Sequence, residues 1–193
     1  MPSPDPHPLA APHGALLLGI ARESIRHGAA EGAPLAVDLD ELPPARAEVR
    51  ATFVTLKLAG GLRGCMGQLK ATRAMARDVA ENAFAAAFLD WRFAPVAASE
   101  VDRLDISLSL LSRPEPIVFA TEAELIAQLV PGRDGVILEK GSRRGTFLPD
   151  MWEMLSAPAD FLAELKLKAG LAPGETGMKA CRYVTQKIPA GPG

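Results

Sequence analysis

The residues with the clearest chemical potential lie in Leu62-Arg63-Gly64-Cys65-Met66-Gly67, where two glycines bracket a thiol. The thiolate is the nucleophilic form of cysteine, and a neighbouring cation favours it, so Arg63 beside Cys65 makes the thiol a candidate nucleophile or anion-site group. Gly64 and Gly67 lack the side chains that would keep a ligand from the backbone, which adds them as candidate binding positions. The alternative is structural: a small apolar cysteine in a strand whose glycines mark bulges. A second candidate surface is Lys140-Gly141-Ser142-Arg143-Arg144-Gly145-Thr146-Phe147-Leu148-Pro149, in which Arg144 and Thr146 could hold an anion. Its charge run is first of all the pattern of a solvated hairpin tip, with anion binding second to that. If the two motifs serve one site, Cys65 lies at a cleft edge and the Arg143 to Pro149 segment forms the opposite wall. Asp90, Asp150 and Glu153 become acid or base candidates only where folding sets one beside Cys65.

These residues need elements to carry them. Five prolines before His13 point to an extended tail over residues 1–13. Leu17, Ile20, Ala21 and Ile25 recur at helical spacing, predicting a helix from about Ala15 to Arg26 with Gly28 behind it. Arg50 to Leu58 is β-branched and aromatic, Ala59-Gly60-Gly61 can turn, and Leu62 to Leu69 returns, giving a hairpin. A helix from about Arg73 to Leu89, capped by Thr72, buries Met75, Val79, Ala83, Phe84 and Phe88. Leu104, Ile106, Leu108 and Leu110 alternate with polar residues as in a half-buried strand, which Pro114 and Pro116 stop. Thr121 and Glu124 form a capping-box pair before a short helix ending near Val130. Segments 135–139 and 144–148 pair as a second hairpin, and Pro158 opens a helix closed by Gly170. Arg182 to Ile188 adds a final strand. Trp91, Phe93 and Trp152 are expected as core anchors, and Cys181 as a buried small residue. Helices and hairpins mix without regular strand-helix-strand alternation, so the class is α+β with packed helices and a mixed, largely antiparallel sheet, in one domain or two small lobes with no legible boundary.

The whole chain bounds the function. Its 193 residues carry 21 Lys+Arg and 23 Asp+Glu, a net charge of −2, and 48% of residues are hydrophobic. That is a folded composition with a sizeable core. It argues against a general nucleic-acid binder, which needs a basic excess. The longest apolar runs fall short of the roughly 18–20 residues that cross a bilayer, and residues 1–8 do not resemble a secretion signal. With two cysteines and no disulfide framework, the expectation is cytoplasmic residence. His7, His13 and His27 cluster early, away from Cys65 and Cys181, so no metal site is expected. Nor does any phosphate-binding, dinucleotide or nucleophile-elbow motif point to a cofactor.

At this point the chain resembles a known family, the AMMECR-type domain, protein A of the AmmeMemoRadiSam system. Phe53-Val54-Thr55-Leu56 with Gly61-Leu62-Arg63-Gly64-Cys65-Met66-Gly67 is similar to its signature, with Met66 where isoleucine is more usual. Asp90-Trp91-Arg92-Phe93-Ala94-Pro95 resembles its second motif and Leu108 to Pro116, followed by Ile117, its third. Lys140 to Pro149 with Trp152, then Lys168-Ala169-Gly170-Leu171, extend the likeness, while Met178 stands about where tryptophan is common. The resemblance implies one AMMECR-type domain over residues 14–193, an α+β fold of two subdomains and intracellular residence. It also implies association with a Memo-like protein and a radical S-adenosylmethionine (SAM) enzyme. It implies no reaction, but singles out Arg63, Gly64, Cys65 and Gly67. Two functions follow as expectations: an enzyme or enzyme component acting on a small anionic or electrophilic substrate at Cys65, or a non-catalytic partner of those two proteins.

Overall fold

A computed structural model describes residues 11–43 and 48–190. Of the tail expected over residues 1–13, residues 1–10 lie outside the described residues, while residues 11–13 already belong to a helix. The chain divides into two compact units, one formed by residues up to Leu111 together with those from Gln186 onward, the other by Ser112–Thr185.

The first unit opens with α1 (Ala11–Glu31), longer at both ends than its apolar spacing predicts. Proline is tolerated in a first helical turn, where its missing N–H has no acceptor, so Pro12 does not delay the start. Gly28 does not end the helix: a Cβ there would lie 2.6 Å from the Phe84 and Phe88 rings, so this glycine lets α1 meet α2 (Met75–Phe88). The stop comes at Gly32, whose φ of +72° is the left-handed conformation that glycine adopts freely. α2 starts two residues later than predicted and has no side-chain cap; Ala74 is its N-cap.

β1 (Thr52–Leu58) and β2 (Gly61–Gly67) form the expected hairpin, turning through Ala59 and Gly60, both at positive φ. β3 (Leu104–Leu111) pairs antiparallel with β1, and β8 (Thr185–Ile188) completes a sheet of order β2-β1-β3-β8 among the described residues. Val54, Leu56, Ile106, Leu108 and Leu110 alternate onto one face and make a core with Leu17 and Ile25 of α1 and Met75, Val79 and Ala83 of α2. Thr55, Ser107 and Ser109, on the opposite parity, are half-buried.

The second unit holds β4 (Glu115–Ile117), α3 (Glu122–Gln128), β5 (Gly135–Lys140), β6 (Arg143–Phe147), α4 (Pro158–Lys168) and β7 (Lys179–Tyr183). Its described strands run β4-β7-β5-β6, antiparallel throughout. The proline at 116 does not end strand structure as expected; β4 is an edge, where a missing N–H breaks no ladder. The single strand predicted from Arg182 to Ile188 is two, β7 and β8, which join different sheets. Trp152 is a core anchor as predicted, stacked on Phe161 with ring centroids 3.8 Å apart. Met178 is buried in the same core, its flexible thioether filling space there.

Candidate functional site

Among the described residues, the signature strand β2 is the edge of the first sheet, with β1 on one side only. Cys65 pairs with Thr55, and the thiol lies 3.3 Å from the Thr55 hydroxyl. Its peptide groups point away from β1, because side chains meet both of them. The Cys65 N–H donates to Asp90 Oδ2 at 2.9 Å, and Arg92 Nη2 donates to the Cys65 carbonyl at 3.3 Å. Asp90 and Arg92 in turn bind each other through both carboxylate oxygens, with Nε–Oδ1 at 2.9 Å and Nη2–Oδ2 at 2.7 Å. An open sheet edge has unpaired N–H and C=O groups. Here an aspartate and an arginine two residues apart supply the acceptor and the donor that a further strand would have supplied.

Asp90 is buried, while the Arg92 side chain keeps 42% of its exposure. Arg92, bonded to both oxygens, holds the Asp90 carboxyl well below the usual carboxylate range, and the Cys65 and Arg92 backbone N–H groups act in the same direction against the cost of burial. Asp90 raises Arg92 above its ordinary value in return, and the Cys65 sulfur adds to that rise. At neutral pH Asp90 is therefore an anion with both oxygens engaged, a poor acceptor for the thiol proton.

Arg63 is the extra residue of a β-bulge, where the register passes from Leu56↔Gly64 to Lys57↔Leu62. Its guanidinium donates to Glu100 at 3.1 and 3.0 Å, to the Ala94 carbonyl at 2.8 Å and to the Pro95 carbonyl at 3.2 Å. Glu100 also accepts the Ala97 N–H at 2.7 Å, and Arg63 lowers its pKa. The expected Arg63–thiol partnership gives way to a different one: Arg63 fastens the segment 94–100, and the guanidinium at the Cys65 peptide is that of Arg92. The glycines also have a different task from the one predicted. A Cβ on Gly64 would stand 2.1 Å from the Ala86 carbonyl oxygen, and one on Gly67 would stand 2.4 Å from that of Thr52, so both glycines admit neighbouring protein.

The other end of β2 is held from the opposite end of α2. Asp78, buried in the first turn, accepts from the Thr52 N–H at 2.9 Å, the Thr52 hydroxyl at 2.7 Å, Asn82 at 2.9 Å, Gln68 at 2.8 Å and Arg73 at 2.9 Å. Sequence reasoning passed over this network. Its signal is Asp78 and Asn82, four residues apart and therefore on one face of an alanine-rich helix, the face that it buries. Trp91 is the clear misreading: expected in the core, it is 90% exposed. Asp90 and Arg92 turn inward to β2, and the residue between them faces solvent.

Arg144 and Thr146 stand on β6, in the second unit. Arg144 pairs with half-buried Glu139 across the hairpin at 2.9 Å. The Thr146 hydroxyl donates to the Val136 carbonyl at 2.8 Å and lies 3.0 Å from the Tyr183 hydroxyl, whose pKa burial pushes up to about 12. Arg143 and Lys140 converge on Glu175, which they and the Ala172 N–H hold down at about 2. Cys181 is half-buried, its pKa raised chiefly by desolvation. Asp150 and Glu153 also belong to the second unit. Both cysteines are free. Among the described residues no group of three or more His, Cys, Asp or Glu is placed to hold a metal ion, and no helix is long and apolar enough to cross a membrane.

Comparison with known proteins matches this arrangement to one family. A protein of Methanothermobacter thermautotrophicus is 35% identical over 167 residues, covering 86% of this chain and 86% of its own. One of Thermotoga maritima is 38% identical over 137 residues, covering 70% and 75%. The crystal structure of an uncharacterized protein from Pyrococcus horikoshii superposes with a TM-score of 0.80 at 30% identity, covering 90% of this chain and 89% of that one. The family model described as AMMECR1 matches residues 18–188, across both units. The chain therefore belongs to the AMMECR1 family.

Proposed function

We propose that the protein binds and transforms a small electrophilic or anionic substrate at Cys65, which serves as the nucleophile. The observation that carries this reading is the clasp: two side chains of one motif hold the N–H and C=O of the single cysteine in the other. A residue needed only to fill a strand does not call for both of its peptide groups to be fixed, whereas a reacting group gains from a fixed geometry. The half-buried thiol, with Thr55 beside it, attacks an electrophilic carbon. A sulfur–carbon bond forms, the leaving group departs with its electron pair, and the thiol proton passes to solvent. Free thiols fit a reducing compartment, so the site of action is the cytoplasm. The test is the rate of alkylation of Cys65 against pH, read residue by residue by mass spectrometry with Cys181 as reference. Cys65 reacts faster than Cys181; a folded protein in which Cys65 resists alkylation overturns the reading.

Trp91 favours a second reading, that of a non-catalytic partner of a Memo-like protein and a radical SAM enzyme. A tryptophan 90% exposed beside the clasp is the type of residue that anchors protein interfaces. Co-purification of wild type and Trp91→Ala with each protein tests it. Capture lost in the variant supports docking, and no complex with either at micromolar concentration removes it.

A further inference from the structure

Arg92 is held from one side only. Nε and Nη2 are bonded to Asp90, and Nη2 also to the Cys65 carbonyl. Among the described residues Nη1 has no hydrogen-bond acceptor, and the side chain is 42% exposed. The Phe93 ring, 5.4 Å from the guanidinium carbon, lies beside it. An arginine whose inner edge is locked by a buried carboxylate keeps its outer donors at a fixed place and angle, at little further entropic cost when a ligand arrives. That place adjoins the thiol, since the guanidinium is bonded to the peptide of Cys65 itself. Because Asp90 cancels the arginine's net charge, what remains is directional: a terminal nitrogen with two N–H donors, suited to an oxyanion.

We propose that Arg92 is the anion-recognising residue of the Cys65 site, and that the substrate carries a carboxylate or a similar oxyanion next to its electrophilic carbon. This rests on the reading of Cys65 as a nucleophile and narrows its substrate class. Arg92 binds the anionic group through Nη1 and Asp90 keeps Arg92 in register, while Arg63 and Glu100, bonded to each other, take no direct part.

Two alkylating probes that differ in charge test it, iodoacetate and iodoacetamide. In both, the Cys65 sulfur bonds to the methylene carbon, iodide leaves with the electron pair, and the thiol proton goes to buffer. The readout is the iodoacetate-to-iodoacetamide rate ratio at Cys65 divided by the same ratio in an unstructured cysteine peptide. One well-placed charge-assisted hydrogen bond raises that quotient about tenfold. Arg92→Gln returns it to about one, because losing the bond to the Cys65 carbonyl alters the rates with both probes together while losing the anion contact alters only that with iodoacetate. Arg92→Lys, which keeps a donor and a charge without the fork, falls between. Excess propionate slows the iodoacetate reaction of wild type alone. A quotient near one in folded wild type overturns the role of Arg92, with or without the variants. If Cys65 reacts readily but without charge preference, only this inference fails; if Cys65 reacts with neither probe, the nucleophile reading fails with it.

Discussion

Asp90 combines burial, four hydrogen bonds and one ion pair, so its removal tests the clasp most directly. Asp90→Asn keeps the shape and loses the charge. It should lower the stability of the protein by about 2 kcal/mol in urea unfolding at neutral pH, the scale of hydrogen bonds to charged groups. The pH dependence has a definite sign. Arg92 depresses the Asp90 pKa in the folded state, so the stabilisation is complete above the unfolded value of about 3.9 and declines as pH falls further toward the folded value. The wild-type advantage over Asp90→Asn therefore shrinks below about pH 4 and is constant from there to neutrality. An advantage that grew on acidification would contradict the ion pair. Asp90 was legible as a candidate acid but not as a neighbour of Cys65. The two are 25 residues apart, and nothing in a sequence states that a loop folds back along a strand edge.

At the scale of elements, two carboxylates at the two ends of α2 secure the signature hairpin, and the helix itself lies against β2 at Gly64. Gly64→Ala places a methyl group against the Ala86 backbone, which cannot rotate aside. The variant should lose about 3 kcal/mol or be recovered unfolded, whereas Gly174→Ala, with open space in front of it and no positive φ, should shift stability by less than about 0.5 kcal/mol. Thermal unfolding of the pair decides it. In the second unit, the Thr121 hydroxyl accepts from the Glu124 N–H at 3.2 Å, and Glu124 reaches back to the Ala120 N–H at 2.8 Å. Thr121→Ala should cost about 1 kcal/mol by the same measurement. This cap and the alternation of Leu104 to Leu110 were plain in the sequence because each is a local pattern. The ends of α1 and α2 were not, since Pro12 sits where proline is harmless and Gly28 is required by a helix distant in sequence. Trp91 misled because an aromatic residue is weighed for burial by its size, while its position between two inward-turning neighbours sends it outward.

At the scale of the molecule, each unit has its own apolar core, and the second is interposed between β3 and the final residues of β8. Phe161, fully buried between Phe147 and Trp152, supports the second core, so Phe161→Ala should cost about 3–5 kcal/mol. In hydrogen exchange, the loss of protection should be greatest among amides of residues 112–185. Uniform loss over both units would mean that the molecule opens as one cooperative body. The interposition also bears on how the protein is made. Ile188 packs in the first core and would touch a Cβ placed on Gly14 at 3.1 Å, so strand and helix from the two extremes of the described chain meet there. A ribosome delivers β1, β2, α2 and β3 early, yet the sheet formed by those three strands lacks β8 until residue 188 has been synthesised. The unit translated second has all of its strands first, and the unit begun first waits with β3 unpaired on one side, a state in which chaperone binding during synthesis would be most useful.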